Sequence, residues 1–236
     1  MKYDLICLGE LLIDFVQEKE EHLTQLYQAN AGGAPGNVAC AAQQFGLRTA
    51  FIGAVGKDAF GRLLIQALEH FSVDTQGIDV LEDIMTTLAF VSLDENGNRE
   101  FTFARKGSAD TMLELGETQI KQLEETMALH FGTLSLTDEP SRSATFEAVK
   151  RVQNQAGIIS FDPNVRLNLW DDVASLRNAF KEGLAYSNIL KISDEDLAFL
   201  LNDEFNDGAL SDEKITALFN GPLQLLLLTL GKNGAK

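Results

Sequence analysis

IISFDPNVR, residues 158–166, is a short, mostly apolar run that stops abruptly at an acid, a proline, an amide and a guanidinium. The run is too short for a helix and too apolar for a strand with one wet face, so it reads as a strand buried on both sides, as in a parallel sheet. Pro163 fixes the turn that follows, which aims Asp162, Asn164 and Arg166 away from the strand end. Ligands of parallel sheets bind beyond the carboxyl ends of the strands, so the polar cluster marks a candidate site.

The same rhythm extends on both sides. HFGTLSL (130–136) reads as a preceding strand, and PSRSATFEAVKRVQNQAG (140–157) as a helix with Pro140 and Ser141 at its start and Gly157 at its stop. The helix DVASLRNAFKEGLAYS (172–187), the strand NILKIS (188–193), two short helical patterns from Asp194 to Asn220 and the strand LQLLLLTLG (223–231) follow. Apolar runs alternating with amphipathic helices predict an α/β layer sandwich with a mainly parallel central sheet. Before about Ala104 strands dominate: DLICLG, LIDFV, TAFIGAVG, TTLAFVSL and REFTFA, the last two separated by DENGN. Asn96-Gly97 between two alternating runs predicts a β-hairpin, because both residues accept the positive φ of a tight turn. Its polar alternate positions predict that the hairpin covers something or pairs with a partner, outside the main sheet. No repeat, low-complexity tract or long linker divides the chain, which predicts one domain over residues 1–236.

Composition narrows the function classes. A chain of 236 residues buries about 70–75% of its unfolded surface and needs no disulfide or structural metal. The formal net charge of −16 argues against nucleic acid or an anionic membrane as partner. Cys7 and Cys40 show no CxxC spacing and read as reduced core residues, and His22, His70 and His130 lack metal-ligand spacing. The apolar N-terminus is interrupted by Asp4, Glu10 and Asp14, so it reads as neither signal peptide nor membrane span, and a cytoplasmic protein is expected.

Four strand ends carry polar groups: GELLID with Asp14, the glycine loop AGGAPGN with Asn37, DPNVR, and LGKNGAK. The glycine loop fits neither GxxxxGK[ST] nor GxGxxG, and it contains no lysine. Gly32, Gly33 and Gly36 permit close backbone approach, Asn37 both donates and accepts, and Asp14 accepts two hydroxyl hydrogen bonds at once. On residues alone this is a polyol or sugar clamp more than a phosphate cradle, beside the alternative of a glycine turn that holds nothing.

GELLID, GGAPGNVA, GAVGKDAFG, FDPNVRLNLW, LKISDEDLAFL and LTLGKNGA occur in an order and spacing that resembles the PfkB, or ribokinase-like, family of carbohydrate kinases, over essentially the whole chain. GGAPGN, FDPNVR before LW, and Lys-x-Ser before acids look most like the fructokinase branch. The resemblance implies a ribokinase-like three-layer α/β/α sandwich with a lid built from about 12–17 and 86–104. It implies transfer of the ATP γ-phosphoryl group to a hydroxyl of a small sugar, D-fructose, with Mg2+ and a monovalent cation such as K+. Related 2-keto-3-deoxygluconate and nucleoside kinases, or a non-catalytic sugar-binding protein, are the alternatives.

By position, the resemblance gives Asp14, Gly32, Gly33 and Asn37 as sugar contacts, and Phe101 and Arg105 as lid residues that reach the substrate. For these two, plain lid packing and a solvated charge are the other readings. Asp162 and Asn164 fall on the substrate and phosphate side, with Asp162 as a helix cap the alternative, and Arg166 is the cation near the transferred group or the sugar. Lys191, Ser193, Thr229, Gly231 and Gly234 match the nucleotide side. Glu195 and Asp196 match the metal side, although the family's Asn-x-x-Glu is replaced by Ser193 and Asp196; a Ser-capped helix start explains the same residues. The family's Gly-Ala-Gly-Asp segment, whose Asp accepts the sugar hydroxyl proton, does not occur in these 236 residues. An incomplete chain with little turnover is therefore expected, and a homodimer formed through the lid.

Overall fold

A computed structural model describes residues 1–21, 24–93, 99–201 and 212–236. The elements, in chain order, are strands β1 (Leu5–Leu8), β2 (Leu12–Glu21) and β3 (Thr24–Gly32), helix α1 (Ala34–Gln44), strand β4 (Thr49–Gly56), helix α2 (Ala59–His70), and strands β5 (Asp74–Leu81), β6 (Thr87–Leu93) and β7 (Arg99–Ala104). Helix α3 (Glu117–Glu124), β8 (Ala128–Gly132), α4 (Ser141–Asn154), β9 (Ile158–Asp162), α5 (Val173–Leu184), β10 (Ile189–Ser193), α6 (Asp194–Leu201), α7 (Asp212–Ala217) and β11 (Leu225–Thr229) complete the fold.

Seven strands form one sheet in the order β11-β10-β9-β8-β1-β4-β5, with every neighbouring pair parallel. The chain first builds β1, β4 and β5 on one side and then returns to β8 and beyond on the other. The switch point therefore lies between β1 and β8, and in open α/β sheets ligands bind in the crevice beyond the strand ends at such a point. A separate four-stranded sheet, β3-β2-β6-β7, holds antiparallel β6 and β7. The expected turn at Asn96-Gly97 lies outside the described residues.

Period-two burial explains the layers. Ile6 and Leu8 of β1 join one core with Phe131, Phe161, Val149 of α4 and Phe180 of α5, while Cys7 joins a second core with Phe51, Ala39 of α1 and Leu64 and Leu68 of α2. Phe131 and Phe161 stack at 4.7 Å between ring centroids, both without solvent exposure. In β9 and β11, Ile158, Leu225 and Leu227 are 46%, 45% and 41% exposed, unlike the usual parallel strand.

Several expectations are corrected. The apolar-polar pattern of 134–136 is a 3-10 turn in place of a strand continuation, and Cys40 is half-buried instead of core. Residues 59–70, within the stretch read as strand-rich, form α2, whose N-terminus Asp58 caps by accepting from the Gly61 N–H at 2.8 Å. The small sheet also includes β3, which the lid boundaries 12–17 and 86–104 omit. No helix among the described residues is long and apolar enough to cross a membrane.

Replacing Phe131 by Ala opens a cavity against Phe161 in the middle of the larger core. The expected cost is about 3–5 kcal/mol, read as a lower urea midpoint with retained far-ultraviolet circular dichroism.

Candidate active site

The crevice at the switch point is framed by the ends of β1, β8, β9 and β10 on one side and by the small sheet on the other. Its glycine loop is set by sterics. Gly33 has φ +115°, and a Cβ there would lie 2.4 Å from the Glu10 carbonyl oxygen, so only glycine fits. A Cβ on Gly32 would lie 2.3 Å from Asp14 Oδ2, which places the loop backbone directly against that carboxylate. The Asn37 N–H donates to Gly33 O at 3.0 Å in the first turn of α1, and its side chain is exposed. Asp14, on β2 opposite Asn30, is half-buried; burial raises its carboxyl above the usual range and Arg166 partly offsets this.

The turn after β9 is built as its sequence implies. Asn164 takes φ +44°, which Asn tolerates, and its N–H donates to Asp162 Oδ1 at 3.1 Å. Asp162 Oδ2 pairs with Lys191 Nζ at 2.9 Å, across the sheet from β10. Arg166 stacks over the Phe101 ring at 5.3 Å and donates to Val165 O at 2.8 Å. The same guanidinium acts electrostatically on Asp14 and on Asp196, so it stands between the small sheet and the start of α6. Asn168, which the sequence reading did not single out, donates from Nδ2 to Phe101 O at 2.9 Å. Together these contacts bring β7 down onto the 162–168 turn and close one side of the crevice.

Arg105 sits differently from either sequence expectation. It is 5% exposed, pairs through Nε with Asp110 Oδ2 at 2.7 Å, and donates to Thr137 Oγ1 and Leu134 O, both at 2.7 Å. Thr87 and Ser108 complete the cluster by donating to Asp110 Oδ1. The residue is thus neither a solvated charge nor held out toward a ligand: it fastens the ends of β6 and β7 to the turn after β8. The alternation of REFTFA sets which β7 residues share a face, but carries nothing about the residue just past the strand.

On the nucleotide side, Ser193 and Thr229 are register partners on β10 and β11, and Gly231 and Gly234 have φ +54° and +88° in the following 3-10 turn. Ser193 Oγ accepts from the Asp196 N–H at 3.1 Å, the capped-helix arrangement. Asp196 is half-buried, and burial raises its carboxyl; Arg166 and Lys191 counter that and Asp162 adds to it. Glu195 is exposed. No cluster of three or more His, Cys, Asp or Glu suited to a metal occurs among the described residues. His130, also missed as a site neighbour, is buried beside the Asp162–Lys191 pair, contacts Ser160 Oγ at 3.0 Å, and is pushed down to about 4 by burial, so it is neutral at pH 7. Glu10 is fully buried behind the glycine loop, and its Oε1 accepts from the Ala34 N–H at 3.0 Å. Its position beside Gly9 at a strand end was the sequence signal.

A family model described as pfkB family carbohydrate kinase matches residues 2–236. The chain belongs to this family. A probable fructokinase-2 of Arabidopsis thaliana is 37% identical over 235 residues, covering 98% of this chain and 70% of the plant protein. Among solved structures, a fructokinase with bound ATP from Xylella fastidiosa superposes with TM-score 0.84 at 34% identity, over 97% of this chain and 68% of that one. A fructokinase double mutant from Vibrio cholerae O395, in a fructose-, ADP- and potassium-bound form, gives TM-score 0.83 at 32% identity, over 99% and 72%. The ribokinase-like three-layer fold expected from the motifs is the fold observed.

Removing Arg105 leaves Asp110 buried without its cation. Arg105→Ala is expected to lower stability by about 3–5 kcal/mol, while Arg105→Met with Asp110→Leu recovers most of the loss, both measured by urea unfolding.

Proposed function

We propose that the crevice binds a small neutral sugar, D-fructose, against Asp14, Gly32, Gly33 and Asn37, and that MgATP approaches from the β10–β11 side as the phosphoryl donor. The observation that carries this reading is the close approach of the Gly32 backbone to the Asp14 carboxylate, within the electrostatic reach of Arg166. A carboxylate accepts two hydroxyls and the exposed amide of Asn37 supplies a donor and an acceptor, which suits a polyol. Among the described groups, Arg105 is engaged by Asp110, and Arg166 already acts on Asp14 and Asp196. Beside a half-buried carboxylate at Asp14, a neutral sugar is favoured over a sugar acid such as 2-keto-3-deoxygluconate, whose own carboxylate would meet a like charge there.

Phosphoryl transfer depends mainly on positioning and charge stabilisation. In this reading Arg166 offsets charge between sugar and nucleotide, and Phe101 with Asn164 shapes the crevice beneath β7. Lys191, with Thr229, Gly231 and Gly234, flanks the nucleotide. A magnesium ion bound to ATP would need only one or two protein carboxylates and would supply charge neutralisation at the phosphates; Asp196 and Glu195 are the residues that would hold it. A monovalent cation such as K+ belongs to the same reading, as do a cytoplasmic location and pairing of two copies through the small sheet, where Val16 and Leu26 are exposed.

The test is calorimetric titration with D-fructose, 2-keto-3-deoxygluconate and a riboside. Fructose is expected to bind most tightly, and Asp14→Asn to weaken it by about tenfold or more, the scale of a lost hydrogen bond to a charged group. Unchanged fructose affinity in the Asp14→Asn variant, or preference for the acid, would contradict the assignment.

A further inference from the structure

We propose that Glu10 is the positioning residue of the sugar loop: its ionised carboxylate holds residues 32–37 in their binding geometry, and taking up a proton there weakens sugar affinity. The inference rests on the sugar reading above and names how that site is regulated.

Three features converge on Glu10. Its side chain is 2% exposed at the carboxyl end of β1, and Oε1 accepts the Ala34 N–H at 3.0 Å, the first amide of the helix that carries Asn37. Its own carbonyl is the atom that forbids a side chain at Gly33, so Glu10 touches the loop through both backbone and side chain. Its second oxygen, Oε2, is buried and has no hydrogen-bond partner among the described residues. A carboxylate at this point gains a charge-assisted hydrogen bond and the favourable field of the α1 N-terminus; the neutral acid keeps only an ordinary hydrogen bond.

The group is poised to change state near neutrality. Burial pushes Glu10 up to about 7, opposed by its own N–H and that of Ala34. The charged groups that face it are Asp110, which raises it further, and Arg105, which lowers it; the loop residues 31–37 carry no charge. The consequence for folding has the opposite sign to the consequence for binding. Because the folded value lies above the ordinary 4.5, the stability linked to the neutral form is fully present below about 4.5 and is lost as pH rises through about 7. Sugar affinity, set by the ionised fraction of the folded chain, rises as pH passes through about 7. A residue with a merely structural role would move both together.

The experiment compares the unmodified chain with Glu10→Gln, which preserves shape and the acceptor oxygen but cannot ionise. Three quantities are followed from pH 5.5 to 8.5: the 15N shift of the Ala34 amide, the calorimetric affinity for D-fructose, and the melting temperature. In the unmodified chain the Ala34 signal is expected to titrate with a midpoint near 7, and affinity to fall about fivefold on acidification, the difference between a charge-assisted and a neutral hydrogen bond. Glu10→Gln should lose both steps, bind at pH 8 as weakly as the acidified chain, and melt no lower than the unmodified chain at pH 8. Asp14 is present in both proteins, so any step it contributes appears in both. An Ala34 signal without inflection, or a Gln variant whose affinity step is as large as that of the unmodified chain, overturns the proposal. If fructose binds at no pH, the sugar reading fails, and the Ala34 titration alone decides whether the carboxylate holds the loop.

Discussion

The close approach of the Glu10 carbonyl to Gly33 is the constraint on which the site depends. Strand β1 is four residues long and paired on both sides, so its carboxyl end is fixed by β4 and β8. The chain must leave the sheet there, build β2 and β3, and return to begin α1 against the point it left. Gly33 permits that return because it has no Cβ and adopts φ +115°. Once the return is made, Asp14, the loop backbone and the first turn of α1 share one wall of the crevice, and Ala39 of α1 is seated in the core beside Leu11 and Phe51. An unusual backbone conformation at one glycine thus fixes both packing and the placement of a polar site.

The opposite wall is fastened by polar contacts. A buried Arg105–Asp110 pair does not stabilise a fold much beyond an apolar substitute, but it specifies which segments meet. Here it joins the small sheet to the turn after β8, next to the switch point of the large sheet. Further out, Phe101 meets Arg166 and Asn168 through one ring contact and one hydrogen bond.

Much of the large sheet was legible because burial on both faces leaves a clear signature. IISFD and NILKIS coincide with β9 and β10 to within one residue, and LQLLLLTLG contains β11 with two residues to spare at each end. Strand β3 was not legible: most of TQLYQANAG is exposed, so no apolar period survives to mark it. Helix α2 was readable in principle, from the Asp58 cap and the spacing of Leu64 and Leu68, but the strands on either side dominated the pattern. At the site, motif order pointed to Asp162, Asn164 and Arg166, which the structure places in the turn after β9, and to Lys191, which pairs with Asp162. It did not reveal that Arg105 turns inward, because that depends on Asp110 and on one carbonyl and one hydroxyl contributed by a turn some thirty residues away. Glu10 was visible as an acid beside Gly9 at a strand end; its role depends on a return of the chain that spacing alone does not encode.

The most direct measurement of the central claim is hydrogen exchange of the chain with and without D-fructose, resolved to peptides by mass spectrometry. The account predicts that fructose slows exchange together in three separated segments, 31–37, 99–105 and 162–168, because they form the walls and cover of one crevice. Unchanged exchange in all three, or protection confined to a surface elsewhere, would contradict it.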